Sequence, residues 1–191
     1  TLGKDFAGVL SSDSYNAYES MDCRKQKCLV HYLREIKKWG EKFSKTGEFA
    51  GFARRAKKVL KGSIHAHKRL KSKPGRLRAK KRFEAQLRHI YSKKYENPEI
   101  NRINKNLRRH ANENFTFLAV EGVEPTNNEA ERGIRPYVVM RKISGSHRSK
   151  KGTHACERLL SIYRTSQLLG ENFKEYATDY LEERLSGTSK P

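Results

Sequence analysis

The chain has 191 residues, enough for one domain of ordinary size, and carries 42 Lys and Arg against 21 Asp and Glu, a formal net charge of +21. Such an excess argues against an enzyme of small-molecule metabolism and favours a polyanionic partner, because each phosphate that a cation neutralises releases counterions. No apolar run approaches the roughly 20 residues of a membrane span, and three cysteines form no disulfide framework, which favours a reducing compartment.

The first predicted element is a short strand over residues 6–12, F-A-G-V-L-S-S, which ends at Asp13. An acid just beyond a strand suits a metal ligand, because the sheet fixes its position. The same residue is also placed to cap a helix over the following S-Y-N-A-Y-E-S, and local sequence alone favours this capping role.

A second strand is predicted over residues 26–30, Q-K-C-L-V, and His31 is predicted to begin a long helix that runs to about Leu60. Cys28 and His31 form a C-x-x-H pair. A structural zinc site needs four ligands, and no second pair follows at a finger-like spacing, so we do not expect one. From the local sequence alone, His31 is either a buried, hydrogen-bonded core residue or a residue of a functional site.

The middle of the chain is strongly basic and helical. Residues 54–110 hold 21 Lys and Arg against three acids, a net charge of +18. Their apolar residues recur mostly three, four or seven apart, which indicates amphipathic helices, and Pro74-Gly75 and Asn97-Pro98 predict breaks between them. We expect a helical insertion whose basic outer face binds nucleic acid, with Lys80, Lys81 and Arg82 as a representative cluster.

Residues 127–142, N-N-E-A-E-R-G-I-R-P-Y-V-V-M-R-K, place one acid among amides and arginines. Thr126 or Asn127 is predicted to cap a helix there, and Pro136 to stop or kink it. Residues four apart share a helix face, so Glu131 shares a face with Asn127, and Arg132 shares one with Asn128. The simpler alternative is an exposed helix with ordinary surface ion pairs.

The end of the chain is predicted to be helical. Residues 115–120 are a short helix end or a strand, and residues 144–151 are a basic loop suited to phosphate contact. A helix over residues 153–169 ends at Gly170, and Asn172 caps a last helix to about Leu185. The predicted buried face of the first of these helices comprises Leu159, Leu160, Ile162, Tyr163 and Leu169.

Three of these motifs together resemble the insertion sequence 66 family of transposases over nearly the whole chain. They are S-D-S-Y-N-A-Y near the start, C-L-V-H after it, and N-N-x-x-E-R-x-I-R-P followed by R-K and a Gly/Ser-rich turn. The resemblance implies a DDE-type enzyme with a ribonuclease-H-like fold. The expected class is α/β but mostly helical: a partial core at residues 1–31, the basic helical insertion at residues 32–114, and a return to the core with the C-terminal helices at residues 115–191.

The resemblance also implies roles for single residues. Asp13 would be the second and Glu131 the last of three acids that bind Mg²⁺ or Mn²⁺ for DNA strand cleavage and strand transfer, so we expect the two to approach closely enough to share a metal. His31 would lie beside this site. The residues expected to hold the DNA near it are Asn127, Asn128, Arg132, Arg135, Arg141 and Lys142.

Only residues 1–12 precede Asp13, too few for the strands that carry the first acid. We therefore expect the C-terminal part of a transposase, inactive alone, whose missing part a homodimer or a partner chain would supply. The expected partners are transposon ends and target DNA, without a membrane, in the cytoplasm and nucleoid of a prokaryote. The alternative is a non-catalytic basic protein that binds DNA or RNA, although such a binder has no use for Glu131 among arginines.

Overall fold

The computed structural model describes residues 6–13, 16–43, 47–143, 145 and 149–186, and it is mostly helical with a small two-stranded parallel sheet. It divides into two compact units, Thr1–Asn127 and Asn128–Pro191. In chain order the elements are β1 (Val9–Ser12), a 3-10 turn (Asn16–Tyr18), β2 (Arg24–Lys27), α1 (Leu29–Lys42), α2 (Gly47–Arg69), α3 (Lys73–Tyr91), α4 (Pro98–Arg109), a 3-10 turn (Thr116–Leu118), α5 (Asn128–Ile143), α6 (Lys150–Leu169) and α7 (Phe173–Leu185).

The two strands pair in parallel, with Val9 opposite Arg24 and Ser12 opposite Lys27. The first strand is thus shorter than predicted, and the second lies earlier than the predicted residues 26–30. The apolar run that begins at Cys28 enters α1 instead, two residues before the expected start at His31. Short apolar runs suit a buried helix start as well as a strand, so their periodicity alone does not separate the two.

The free side of β2 is joined to the segment that follows α4 through Gln26, whose side chain is buried. Its amide nitrogen donates to the carbonyls of Lys27 and Asn114, and its amide oxygen accepts from the backbone nitrogen of Phe117 at 3.0 Å. The Thr116 hydroxyl also donates to the Lys25 carbonyl at 2.7 Å. These bonds satisfy the polar groups of a buried segment and hold the sheet against residues 113–118.

Helices α1 to α4 enclose one hydrophobic core, which also contains apolar residues from the end of the first unit. Buried positions on α3 are Ala79, Phe83, Leu87 and Ile90, which lie on one face of that helix. The other large buried side chains include Tyr32, Ile36, Phe49, Phe52, Leu60, Ile100, Ile103, Leu107, Phe115 and Phe117. The described residues between positions 32 and 114 form helices joined by turns and irregular segments, and none of them forms a strand. The domain boundaries at residues 31 and 114 stay predictions.

The helix boundaries observed in the first unit differ in part from those predicted. The single helix expected from His31 to Leu60 is two helices, because α1 ends at Lys42 and α2 begins at Gly47. The break predicted near Pro74 lies just before it, because α2 ends at Arg69 and α3 begins at Lys73 with Pro74 in its first turn. Proline is accepted there because the first turn leaves its backbone N–H groups without helical partners. Pro98 likewise lies in the first turn of α4, after the predicted break.

The second unit consists of α5, α6 and α7. Helix α5 continues through Pro136 to Ile143, although this proline was predicted to stop or kink it. Proline removes the hydrogen bond to the carbonyl of Arg132, and both residues are exposed, so water can satisfy that carbonyl. Ser149 caps α6 by accepting from the Gly152 backbone nitrogen. Of the predicted basic loop at residues 144–151, positions 144 and 146–148 lie outside the described residues.

The predicted ends of the last two helices are confirmed, but the predicted buried face of α6 is not. Gly170 ends α6 at φ +71°, and the Asn172 side chain accepts from the Lys174 and Glu175 backbone nitrogens at the start of α7. Leu159 and Leu169 are each more than half exposed. No hydrophobic residue among the described part of this unit is buried. The α6 periodicity marks an apolar stripe, but it does not show what covers it.

Among the described helices, none combines the length and the apolar character that crossing a membrane requires.

Candidate functional site

Asp13 directly follows β1 and is half-buried. The residue that holds it is Lys27, the last residue of β2, whose side chain is only 1% exposed. The Lys27 ammonium donates to the Asp13 backbone carbonyl at 3.2 Å, to the Ser12 hydroxyl at 3.4 Å and to a Glu19 carboxylate oxygen at 2.8 Å. A buried cation therefore fixes the backbone at the position where the sequence analysis places a metal ligand.

The charge of Lys27 is balanced by a network of partly buried groups. Glu19 and Glu113 lie 2.8 Å and 3.8 Å from its ammonium, and His110 lies 3.0 Å from Glu113 and 3.7 Å from Glu19. The hydrogen bond from Lys27 holds the pKa of Glu19 below its usual value, against the opposing effect of burial. Burial, and then the charge of Lys27, hold the pKa of His110 below its usual value, so neutral imidazole is favoured in this network.

Cys28 and His31 lie at the start of α1, where Cys28 is buried and His31 is half-buried. The Asn127 backbone nitrogen donates to the Cys28 sulfur at 3.4 Å. Burial alone would raise the pKa of the Cys28 thiol, but the hydrogen bonds from the His31 side chain and from Asn127 outweigh it and lower that pKa. His31 is therefore engaged with the thiol of its own C-x-x-H motif, whereas its predicted role beside a catalytic site stays a prediction.

Most of the remaining predicted site residues lie on α5 in the second unit. Glu131 is half-buried in the first turn, where a carboxylate is favoured by the helix dipole. Asn128 is three residues before it and is also half-buried, while Arg132, Arg135, Arg141 and Lys142 are exposed. Asp13 and Glu131 belong to different units, and their predicted approach stays a prediction.

The acids near the basic helices are already engaged, so most of the positive charge is not neutralised within the protein. Lys80 is paired with Glu84 on α3, and Arg102 pairs with both Glu35 and Glu99. The seven Lys and Arg side chains of α2 form no ion pair within the described part of the chain. Lys81 and Arg82, next to Lys80 on α3, are exposed. These helices therefore present an unbalanced cationic surface, as polyanion binding requires.

The network around Lys27 was missed by the sequence analysis, and little in the sequence could have indicated it. Lys27 lies in an R-K-Q-K strand that has the composition of an exposed edge, and its partners Glu19 and Glu113 are 8 and 86 residues away. The one available hint is that Gln26 and Lys27, directly before Cys28, have long polar side chains. Such side chains can be buried when hydrogen-bond partners from other segments satisfy their polar groups.

Comparison with known families agrees with the motifs. The family model described as "Transposase IS66 family" matches residues 1–155, most of the chain. Neither a curated protein nor a solved structure gives a significant match. Because the matched span contains the two strands, the basic helices and the Glu131 helix, the chain belongs to the IS66 family of transposases.

Proposed function

We propose that this chain takes part in DNA strand cleavage and strand transfer, with helices α2 and α3 binding the DNA backbone and with Asp13 and Glu131 as metal ligands. The family match supports a transposase role. The observation that carries DNA binding is the cationic surface of α2 and α3, where only Lys80 among the fourteen Lys and Arg residues is paired with an acid in the described structure. Backbone phosphates are the ligands that balance such a surface without sequence preference.

The donor set at the two acids fits a hard divalent cation. Asp13 and Glu131 offer carboxylate oxygens, which Mg²⁺ and Mn²⁺ prefer, and each is half-buried beside a regular element that fixes its backbone. Bound there, such an ion would activate an attacking oxygen and stabilise the leaving oxygen of a phosphodiester. We propose that β1 and β2 with α5 belong to a ribonuclease-H-like core and that α1 to α4 form its basic insertion.

The protein's own side chains would position the acids and the DNA. Lys27 holds the Asp13 carbonyl, which limits movement of the backbone that carries this carboxylate. Arg135 follows Glu131 by four residues on α5, shares its face and is exposed, so it is available to phosphate oxygens close to the acid, and the exposed Arg132 is available on the neighbouring face. We propose that Asn127, Asn128, Arg141 and Lys142 extend this phosphate contact along the DNA strand. We also propose that His31 lies near the metal-binding acids.

The test is the salt dependence of duplex DNA binding by the full chain, measured by fluorescence anisotropy. The wild-type chain should bind duplexes of unrelated sequence similarly, and the slope of log affinity against log salt should flatten by about one unit for each phosphate contact removed. Lys81→Ala and Arg82→Ala should each show this loss. Lys80→Ala should show less, because the Lys80 charge is already paired with Glu84.

Glu131→Gln provides the matched control for the acid. It should leave duplex affinity unchanged or slightly higher, because it removes a negative charge near the phosphates. Absence of any duplex binding at low salt would contradict the proposed function. Equal slopes for Lys80→Ala, Lys81→Ala and the wild-type chain would show that DNA binds elsewhere.

A further inference from the structure

A groove lies between α2 and α3, and its floor differs from the rest of the basic surface. It is open and has a volume of about 490 Å³, within the range of roughly 300–1,000 Å³ typical of small-ligand sites. Gly62 and Ala66 of α2 and Phe83 of α3 line its floor. A methyl group added at Gly62 would lie 3.4 Å from the Phe83 ring, so the small residues of α2 let the ring pack closely and leave the space beside it.

The rim of this groove is cationic. Lys58 and Arg69 lie on one side, on the same face of α2, and Arg82 lies on the other, with His65 between them. None of the described residues that line the groove is acidic, and none of these four forms an ion pair with a described residue. Three like charges around one concavity repel each other unless an anion lies among them. The rim therefore favours a ligand that carries phosphate.

The floor favours a ligand that also has an apolar face. Leu70 contributes carbon atoms, and the Phe83 ring, which is only 5% exposed, lies beneath the Arg82 guanidinium at 4.8 Å from the ring centre, so the guanidinium plane itself faces the groove. A site for phosphate alone would be lined by hydrogen-bond donors, whereas a flat base gains free energy from apolar, aromatic and guanidinium surfaces. A base inside a duplex is stacked on both faces and does not offer one of them to such a floor.

We propose that this groove seats one unstacked nucleotide of a DNA strand, with its base on the floor around Phe83 and Ala66 and its flanking phosphates at Lys58, Arg69 and Arg82. The proposal rests on the proposed function, because it takes DNA as the ligand. It adds that the basic helices distinguish an unpaired or frayed strand from an intact duplex. This preference would be independent of base identity, since every base has an apolar face.

The test compares three DNA molecules in anisotropy titrations of the full chain at one salt concentration. One is a blunt duplex, one carries a four-nucleotide overhang, and one carries the same overhang with abasic residues. The last two have the same number of phosphates and differ only in the bases. The overhang with bases should bind about tenfold more tightly than the abasic overhang, the effect expected for one stacked base. Equal affinities for these two would overturn the proposal.

The blunt duplex separates this proposal from the proposed function. Binding to the blunt duplex with no gain from an overhang base would overturn the groove proposal and leave the general DNA-binding proposal in place. Failure to bind any of the three DNA molecules at low salt would overturn both.

A pair of neighbouring variants assigns the preference to the groove. Arg82→Ala removes a groove cation, and Lys81→Ala removes the same charge from an adjacent exposed position outside the groove. Arg82→Ala should abolish the tenfold preference for the base, while Lys81→Ala should weaken binding to all three molecules alike and keep the preference. Arg69→Ala repeats the test if Arg82→Ala proves unstable in a thermal melt. The same loss of preference in Lys81→Ala would overturn the assignment.

Discussion

Replacing Lys27 by Met should destabilise the protein strongly, because it removes the cation at the centre of a buried network and keeps a side chain of similar length. The Lys27 side chain is 1% exposed, and its ammonium donates to Ser12, to the Asp13 carbonyl and to Glu19. Removing one partner of a buried ion pair costs about 3–5 kcal/mol. Since Glu19 and Glu113 are 22% and 26% exposed, water compensates part of their charge, and we expect the lower end, about 3 kcal/mol.

The measurement is urea unfolding followed by circular dichroism, with a thermal melt as a second assay. A loss of about 3 kcal/mol corresponds to a fall in melting temperature of about 6–12 °C for a chain of this length. Lys37→Met is the matched control, because Lys37 is 75% exposed and lies 3.9 Å from an exposed Glu41. That substitution should cost less than about 0.5 kcal/mol.

A second substitution shows where the cost of Lys27→Met arises. Adding Glu19→Gln should restore part of the lost free energy of unfolding, because the variant then no longer carries an uncompensated Glu19 carboxylate. A cost below about 1 kcal/mol for Lys27→Met, or no recovery in the double variant, would refute the argument that Lys27 holds the end of β1 through buried charge.

Three further predictions concern pH and helix caps. The pKa of His110 is below its usual value of 6.5 in the folded protein, so the unfolded chain takes up a proton first as the pH drops. The free energy of unfolding should therefore fall below about pH 6.5. In a pH series of unfolding curves, His110→Gln should flatten this fall. The pKa of Glu19 is below its usual value of 4.5, so its contribution is complete above that pH and is lost below it, and Lys27→Met should remove this acid-dependent loss. Asn97→Ala should cost about 1 kcal/mol in urea unfolding, because the Asn97 side chain accepts from two backbone nitrogens at the start of α4, whereas the exposed Asn112→Ala should cost much less.

Features set by neighbouring residues were predictable from the sequence. Asn172 is followed by a helix because a short polar side chain satisfies the first backbone nitrogens of a helix, and Gly170 ends α6 because it adopts a positive φ without steric cost. The family motifs were equally informative, since the Asn127 to Pro136 pattern carries a resemblance that the family model confirms.

Features set by distant contacts were not predictable. Gln26 and Lys27 look like exposed strand residues, yet both are buried because residues 113–117 and Glu19 supply their hydrogen-bond partners. Pro136 was expected to stop or kink α5, and the helix does not stop there, because a proline at an exposed position removes only one helical hydrogen bond. The groove between α2 and α3 depends on Gly62 facing Phe83 across a helix pair, a relation that the spacing within either helix does not contain.

We propose that Asp13 and Glu131 hold a common divalent ion, and Mn²⁺ titration followed by electron paramagnetic resonance tests this proposal most directly. Asp13→Asn and Glu131→Gln should each weaken Mn²⁺ binding, and the double variant should bind no more weakly than either single one, because removing one ligand already disrupts a shared site. The controls are Asp22→Asn and Glu129→Gln, which remove exposed acids close in sequence to each ligand and should leave the affinity unchanged. Equal Mn²⁺ affinity of Glu131→Gln and Glu129→Gln, or additive losses in the double variant, would contradict a shared metal site.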